Sequence, residues 1–155
     1  MNLRGTCDKE VDRMKTGLVL EGGALRGLFT AGAMDYLQDK NATFDYIAGV
    51  SAGAGNMMNF LSHQRGRTKT IISPGRKDNY YGLKQLIRTG SYLNLDKMIF
   101  EFSYKTFPYD FQAHKENPIE HEIVVVNCET AEAEYINGKG DDKHTLTAVK
   151  ASCSV

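Results

Sequence analysis

Two glycine-rich turns constrain this chain more than any other feature. They read Gly22-Gly23-Ala24-Leu25-Arg26-Gly27 and Gly49-Val50-Ser51-Ala52-Gly53. Each follows a short apolar run of strand length and opens a longer run of helical spacing. The second has the G-x-S-x-G form, in which a serine stands exposed on a sharp strand-to-helix turn. The first supplies closely spaced backbone N–H groups of the kind that hold an oxyanion. The pairing points to a serine hydrolase. The 155 residues show no obvious partner to take the proton from Ser51.

Periodicity sets the frame around the turns. Residues 1–15 read as a polar lead-in without the apolar core of a signal peptide. Residues 16–21 predict a buried strand. Residues 27–40 predict a helix, with Phe29, Ala33 and Leu37 at i, i+4, i+8 and Leu28 and Met34 alongside. Gly32 within it costs about 1 kcal/mol relative to alanine, so it signals either close packing or tolerance. Residues 44–50 predict a second strand and residues 52–63 a second helix, with Met57, Phe60 and Leu61 on its apolar side. This order requires parallel strands with crossover helices, an α/β fold in one domain.

Further along, residues 65–80 read as a loop with turn signals at Ser73-Pro74-Gly75. Residues 81–107 carry mixed helical patterning that Phe107-Pro108-Tyr109 breaks. Residues 121–128 hold the strongest strand pattern, residues 133–136 can pair back on it, and Asn137-Gly138 then turns the chain. Residues 143–152 predict a last helix with Leu146 and Val149 inward.

Charge excludes one class of partner. Nineteen basic residues balance nineteen acidic ones, so nothing calls for a nucleic acid. The distribution is uneven. Residues 63–88 carry Arg65, Arg67, Lys69, Arg76, Lys77, Lys84 and Arg88 against Asp78 alone, and residues 110–144 are acidic. The basic stretch reads first as a solvated loop and helix face, and second as a peripheral contact for anionic headgroups. Cys7, Cys128 and Cys153 have no metal-ligand spacing, and Cys128 ends an apolar run as a buried small hydrophobe would. No apolar run reaches the ~20 residues of a membrane helix. The expectation is a reduced cytoplasmic protein, soluble or peripheral at a membrane, with no metal and no cofactor.

The chemistry assigns a role to each motif residue. A serine hydroxyl is a weak nucleophile at neutral pH and needs a base. In an elbow the N–H after the nucleophile, here that of Ala52, points toward the developing oxyanion, and the following helix adds its positive end. Gly49 and Gly53 let strand and helix approach around Ser51. In a parallel sheet both turns leave at the carboxyl edge, where ligands bind. A phosphate loop is excluded because Leu28 stands where lysine is required, and the spacing of Gly22, Gly23 and Gly27 fails the dinucleotide pattern. Arg26 either bonds loop carbonyls or faces solvent. His63, His114, His121 and His144 are scattered and read as surface residues. Met57, Met58 and Phe60 read as core, with lining of an acyl site as the second reading.

At these residues the chain resembles the patatin-like phospholipases, which pair a G-G-G-x-[KR]-G oxyanion loop after the first strand with G-x-S-x-G after the second. The clear likeness covers residues 16–64, and a weaker one continues through residues 123–128 and the closing Lys150-Ala151-Ser152-Cys153-Ser154. The resemblance implies a three-layer α/β/α fold with a mainly parallel sheet. It implies hydrolysis of lipid or phospholipid esters by a Ser-Asp dyad without histidine or cofactor. Ser51 would be the nucleophile, and Gly22, Gly23, Ala24 and Ala52 would form the oxyanion hole, supported by Arg26, Gly27, Gly49 and Gly53. Two departures stand out. Ala24 replaces the family's third glycine, which is harmless unless the site requires a positive φ. The family's aspartate lies in an Asp-Gly segment, and this chain has no Asp-Gly pair. The expectation is therefore that the base lies beyond Val155, that residues 16–155 are the N-terminal part of a hydrolase domain, and that the chain alone is inactive. A non-catalytic lipid- or protein-binding remnant is the alternative. A Ser-His-Asp hydrolase, with Asp96 or Asp110 and His114, His121 or His144, ranks third, because Ser51 follows only the second strand.

Overall fold

The structure, a computed structural model, describes residues 14–75 and 79–154. Most of the polar lead-in, Cys7, Arg76, Lys77, Asp78 and Val155 lie outside the described residues. The elements run β1 (Gly17–Leu20), a 3-10 turn (Ala24–Arg26), α1 (Gly27–Asp39), β2 (Tyr46–Val50), α2 (Ala52–Leu61), α3 (Arg67–Ile72) and α4 (Leu83–Thr89). A π-helix (Lys97–Thr106), α5 (Phe111–Glu116), β3 (Glu120–Val126), β4 (Ala133–Asn137) and α6 (Asp142–Cys153) follow. The fold is α/β, as expected. The sheet has the order β1-β2-β3-β4, parallel from β1 to β3, with β4 turned back antiparallel on β3. Leu20, Gly49 and Ile123 lie level in the register. β1 and β2 therefore end together, and both glycine turns leave the sheet at the same edge.

Helix α2 is the centre of the molecule. Its sequence is apolar or small nearly all round, and all but its first and fourth residues are buried, which is what such a helix demands. Met57 and Leu61 meet Ile47 and Ile123 of the sheet in one core that Met34, Tyr109, Leu146 and Val149 complete. Leu146 and Val149 face inward from α6, as their spacing predicts.

Helix α1 has the expected length but a different phase. Gly27 and Met34 are its buried positions, while Phe29 is 87% exposed and Ala33 and Leu28 also face solvent. Of the i, i+4, i+8 row only Leu37 packs against the core. The inward row instead starts at Gly27, which has to slide under Ala52. Gly32 packs against nothing, so it is merely tolerated.

The stretch 65–80 is not all loop. Residues Arg67–Ile72 form α3, because Arg67 is drawn inward to a set of acceptors. Cys128 is exposed rather than buried, since it follows β3 into a surface turn. His114 and His121 are buried rather than superficial, whereas His63 and His144 are exposed as expected. Their Nε2 atoms lie 3.0 Å apart. His121 Nδ1 reaches the Ile119 carbonyl at 3.0 Å, and His114 Nε2 reaches that of Gly138 at 3.1 Å. A neutral pair satisfies this: His121 donates from Nδ1, and His114 donates from Nε2. The Tyr109 hydroxyl, 2.7 Å from His114 Nδ1, completes the cluster.

Candidate active site

Ser51 stands between the last residue of β2 and the first of α2, at φ 52° and ψ −117°. A non-glycine residue is rarely found there, and the strain is held by what surrounds it. Its N–H donates to Ser152 Oγ at 2.7 Å, and that hydroxyl donates to the Val124 carbonyl at 2.6 Å. Gly53 backs onto β1 so closely that a Cβ there would lie 2.2 Å from the Leu20 carbonyl oxygen. Gly49 lies under the α2 backbone at Ala54.

The first turn lies directly against the second. A Cβ on Gly27 would come within 2.8 Å of Ala52 Cβ, and one on Gly22 within 3.3 Å of Ser51 Cβ. Asn56, buried in α2, ties them by donating to the Gly27 carbonyl at 2.9 Å. Ala24 adopts φ 47°, so its position does require the left-handed region, and the alanine there is strained. Arg26 is exposed and holds no loop carbonyl. Among the described residues, the N–H groups of Gly22, Gly23, Ala24 and Ala52 make no hydrogen bond. These four N–H groups belong to the two turns that meet beside Ser51, which stands at the positive end of α2.

A cavity of about 500 Å³ opens beside them. Ala24 and Leu25 border it from one turn and Ser51 and Ala52 from the other. Met58, Ile71, Met98, Ile99, Leu146 and Val149 make the rest of its wall largely apolar. Met57, Met58 and Phe60 all belong to the core, and Met58 also lines this space.

One polar seam crosses this wall. Arg67 donates to Asn59 Oδ1 at 3.0 Å, to the Phe107 carbonyl at 2.8 Å and to Ser103 Oγ at 3.3 Å, and lies over the Tyr109 ring. Thr68 links Asn59 to Asn56 by bonds of 2.8 Å each. Burial pulls the guanidinium down to about 10, and it stays charged at neutral pH. The seam fastens α3 and the end of the π-helix to α2.

No carboxylate or imidazole lines the cavity among the described residues. The described aspartates are engaged elsewhere. Asp35 accepts from the Gly66 N–H, and Asp45 accepts from Thr16. Asp39, Asp96 and Asp142 pair with Arg65, Lys150 and Lys115. Asp110 and Asp141 cap α5 and α6. His121 is level with Ile47, four residues and roughly 13 Å before Ser51 along the sheet, and His114 sits with it. The histidine-based arrangement is not assembled. The Cys153 thiol borders the same cavity beside Ser51, and burial pushes it up, so that it stays protonated at neutral pH. Ser152, Cys153 and Arg67 were not singled out from sequence as site residues. The closing segment around Ser152 was the one available signal.

A sequence model of the patatin-like phospholipase family matches residues 18–155. The chain belongs to that family, a family of hydrolases that act on lipid substrates. One relative is YjjU of Escherichia coli (strain K12), described as an uncharacterized protein. It is 34% identical over 87 residues, which make up 55% of this chain and 24% of that protein. The matched part therefore spans about a quarter of that relative's length.

Proposed function

We propose that this chain carries the nucleophile and oxyanion half of a serine acyl hydrolase for lipid or phospholipid esters. The observation that supports it is Ser51 held at a strained φ beside four unpaired N–H groups and an apolar cavity. Ser51 Oγ attacks the ester carbonyl carbon and its proton passes to a base. The N–H groups of Gly22, Gly23, Ala24 and Ala52 take the negative oxygen. The alcohol leaves with a proton, the acyl group stays on Ser51, and water then releases the fatty acid. The base is an aspartate outside the described residues, because each described aspartate is engaged elsewhere.

Hydrolysis of a short-chain activated ester tests this reading. The protein produced from its native gene should turn the ester over, and Ser51→Ala should remove that activity. Unchanged turnover in the variant would reject Ser51 as nucleophile.

A second reading, lipid binding without turnover, draws on the thiol of Cys153 beside Ser51 and on the strained Ala24. Clear Ser51-dependent hydrolysis excludes it.

A further inference from the structure

We propose that α4 docks this protein onto an anionic lipid surface, with the apolar cavity opening toward that surface. The segment carrying α4 leaves and rejoins the body through a narrow neck. Tyr81 bridges Leu93, the Gly82 N–H donates to the Tyr92 carbonyl at 3.1 Å, and the Asn94 N–H donates to the Tyr80 carbonyl at 2.7 Å. Tyr80 anchors the neck, buried edge-on against Phe102. Beyond the neck, α4 buries none of its residues.

Leu83, Leu86 and Ile87 occupy i, i+3 and i+4 on one stripe, with Leu83 72% and Ile87 86% exposed. A seven-residue helix has little stability of its own, and spending three large aliphatic side chains on solvent gains it nothing. Those side chains need an apolar medium. The residues beside them say which one. Lys84 and Arg88 flank the stripe one turn apart, both exposed, and no acidic residue occurs from position 79 to 95. An apolar stripe with a basic flank matches the boundary of an anionic bilayer. A second copy docked face to face would set Lys84 and Arg88 against their own counterparts.

The stripe also continues into the site. Tyr81, Tyr92 and Leu93 of the neck line the cavity that holds Ser51. A lipid leaving the surface beside α4 would meet cavity wall without crossing water. The other basic residues of the 63–88 stretch divide differently. Arg65 pairs with Asp39, and Arg67 is built into the polar seam. Among the described basic residues of that stretch, the exposed Lys69 of α3 remains beside Lys84 and Arg88 of α4, and only the latter two flank an exposed apolar stripe.

The inference rests on the lipid reading of the cavity, and flotation with vesicles separates the two. The full chain should bind vesicles of phosphatidylcholine plus phosphatidylglycerol roughly 30-fold better than phosphatidylcholine alone, as two basic residues at the surface imply. Added salt should weaken that preference. Leu83→Ser with Ile87→Ser should lower binding to both vesicles by about tenfold or more. Lys84→Gln with Arg88→Gln should keep the weak phosphatidylcholine binding and lose the preference. All four side chains are exposed, so the thermal midpoint should hold. Unchanged binding in either double variant, or no binding of the wild type to the anionic vesicles, overturns the proposal. So does a dimer that the Leu83/Ile87 variant dissolves without altering vesicle binding. Ser51→Ala should float like the wild type. If flotation fails while Ser51-dependent hydrolysis of a soluble ester persists, docking falls and the hydrolase reading stands.

Discussion

The backbone N–H of Ser51 is held by the side chain of Ser152, 101 residues away in sequence, at 2.7 Å. The same hydroxyl donates to the Val124 carbonyl, so one small side chain in the last turn of α6 ties the elbow to the end of β3. The strained φ of Ser51 is thereby fixed by a partner that no local motif contains.

Replacing Ser152 by alanine should leave the Ser51 N–H and the Val124 carbonyl without this partner. Stability should fall by about 1–3 kcal/mol, read from the midpoint of urea denaturation. A midpoint equal to that of the wild type would show that Ser152 holds nothing.

Ala24→Gly should stabilise the chain by about 1 kcal/mol, because glycine occupies φ 47° without the Cβ clash that alanine suffers. Thermal melting of the two proteins decides it. A loss of stability would mean that the turn relaxes around alanine.

Two glycines of α2 should respond oppositely to alanine. Gly53→Ala drives a Cβ to 2.2 Å from the Leu20 carbonyl oxygen and should cost about 3 kcal/mol or more. Gly55→Ala meets nothing within 4 Å and should gain a few tenths to about 1 kcal/mol. Denaturation curves of the pair would refute the close packing of α2 on β1 if the two shifts matched.

The His114–His121 pair makes stability fall on acidification. Burial and the neighbouring imidazole hold His114 down to about 4, and His121 is lowered chiefly by burial. The unfolded chain binds protons near pH 6.5 that the folded chain refuses, so the stability present above that value is lost as pH falls toward about 4. His114 alone can account for up to about 3 kcal/mol. A protonated His121 Nε2 would also point at the Nε2–H of His114. Imidazole NMR should show His114 still neutral at pH 5, and a midpoint above 6 would break the argument.

Arg67→Lys should cost about 2 kcal/mol although the charge is kept. A single ammonium cannot reach the Asn59, Ser103 and Phe107 acceptors at once or lie flat over Tyr109. Equal urea midpoints for the two proteins would reduce Arg67 to a point charge.

Local chemistry made the sheet and its two turns legible. A strand stopped by glycines and followed by a helical run carries its own signal within about ten residues, and the pairing of residues 133–136 with β3 followed from the same kind of pattern. The phase of α1 was not legible, because Phe29 and Ala33 are as apolar as the residues that do turn inward. Helix α3 was hidden in a basic stretch, since Arg67 looks like any surface arginine until its three acceptors converge on it. The histidines misled for the same reason.

The sequence by itself determined the α/β order, the family, and the place of Ser51 after its strand, because each depends on residues adjacent in the chain. Tertiary structure decided what surrounds that serine. The contact of Gly27 with Ala52, the hold of Ser152 on the elbow, the Cys153 thiol beside Ser51 and the exposed stripe of α4 arise from segments distant in sequence. Such contacts follow from how elements pack, and packing is set by the whole core rather than by any single stretch of residues.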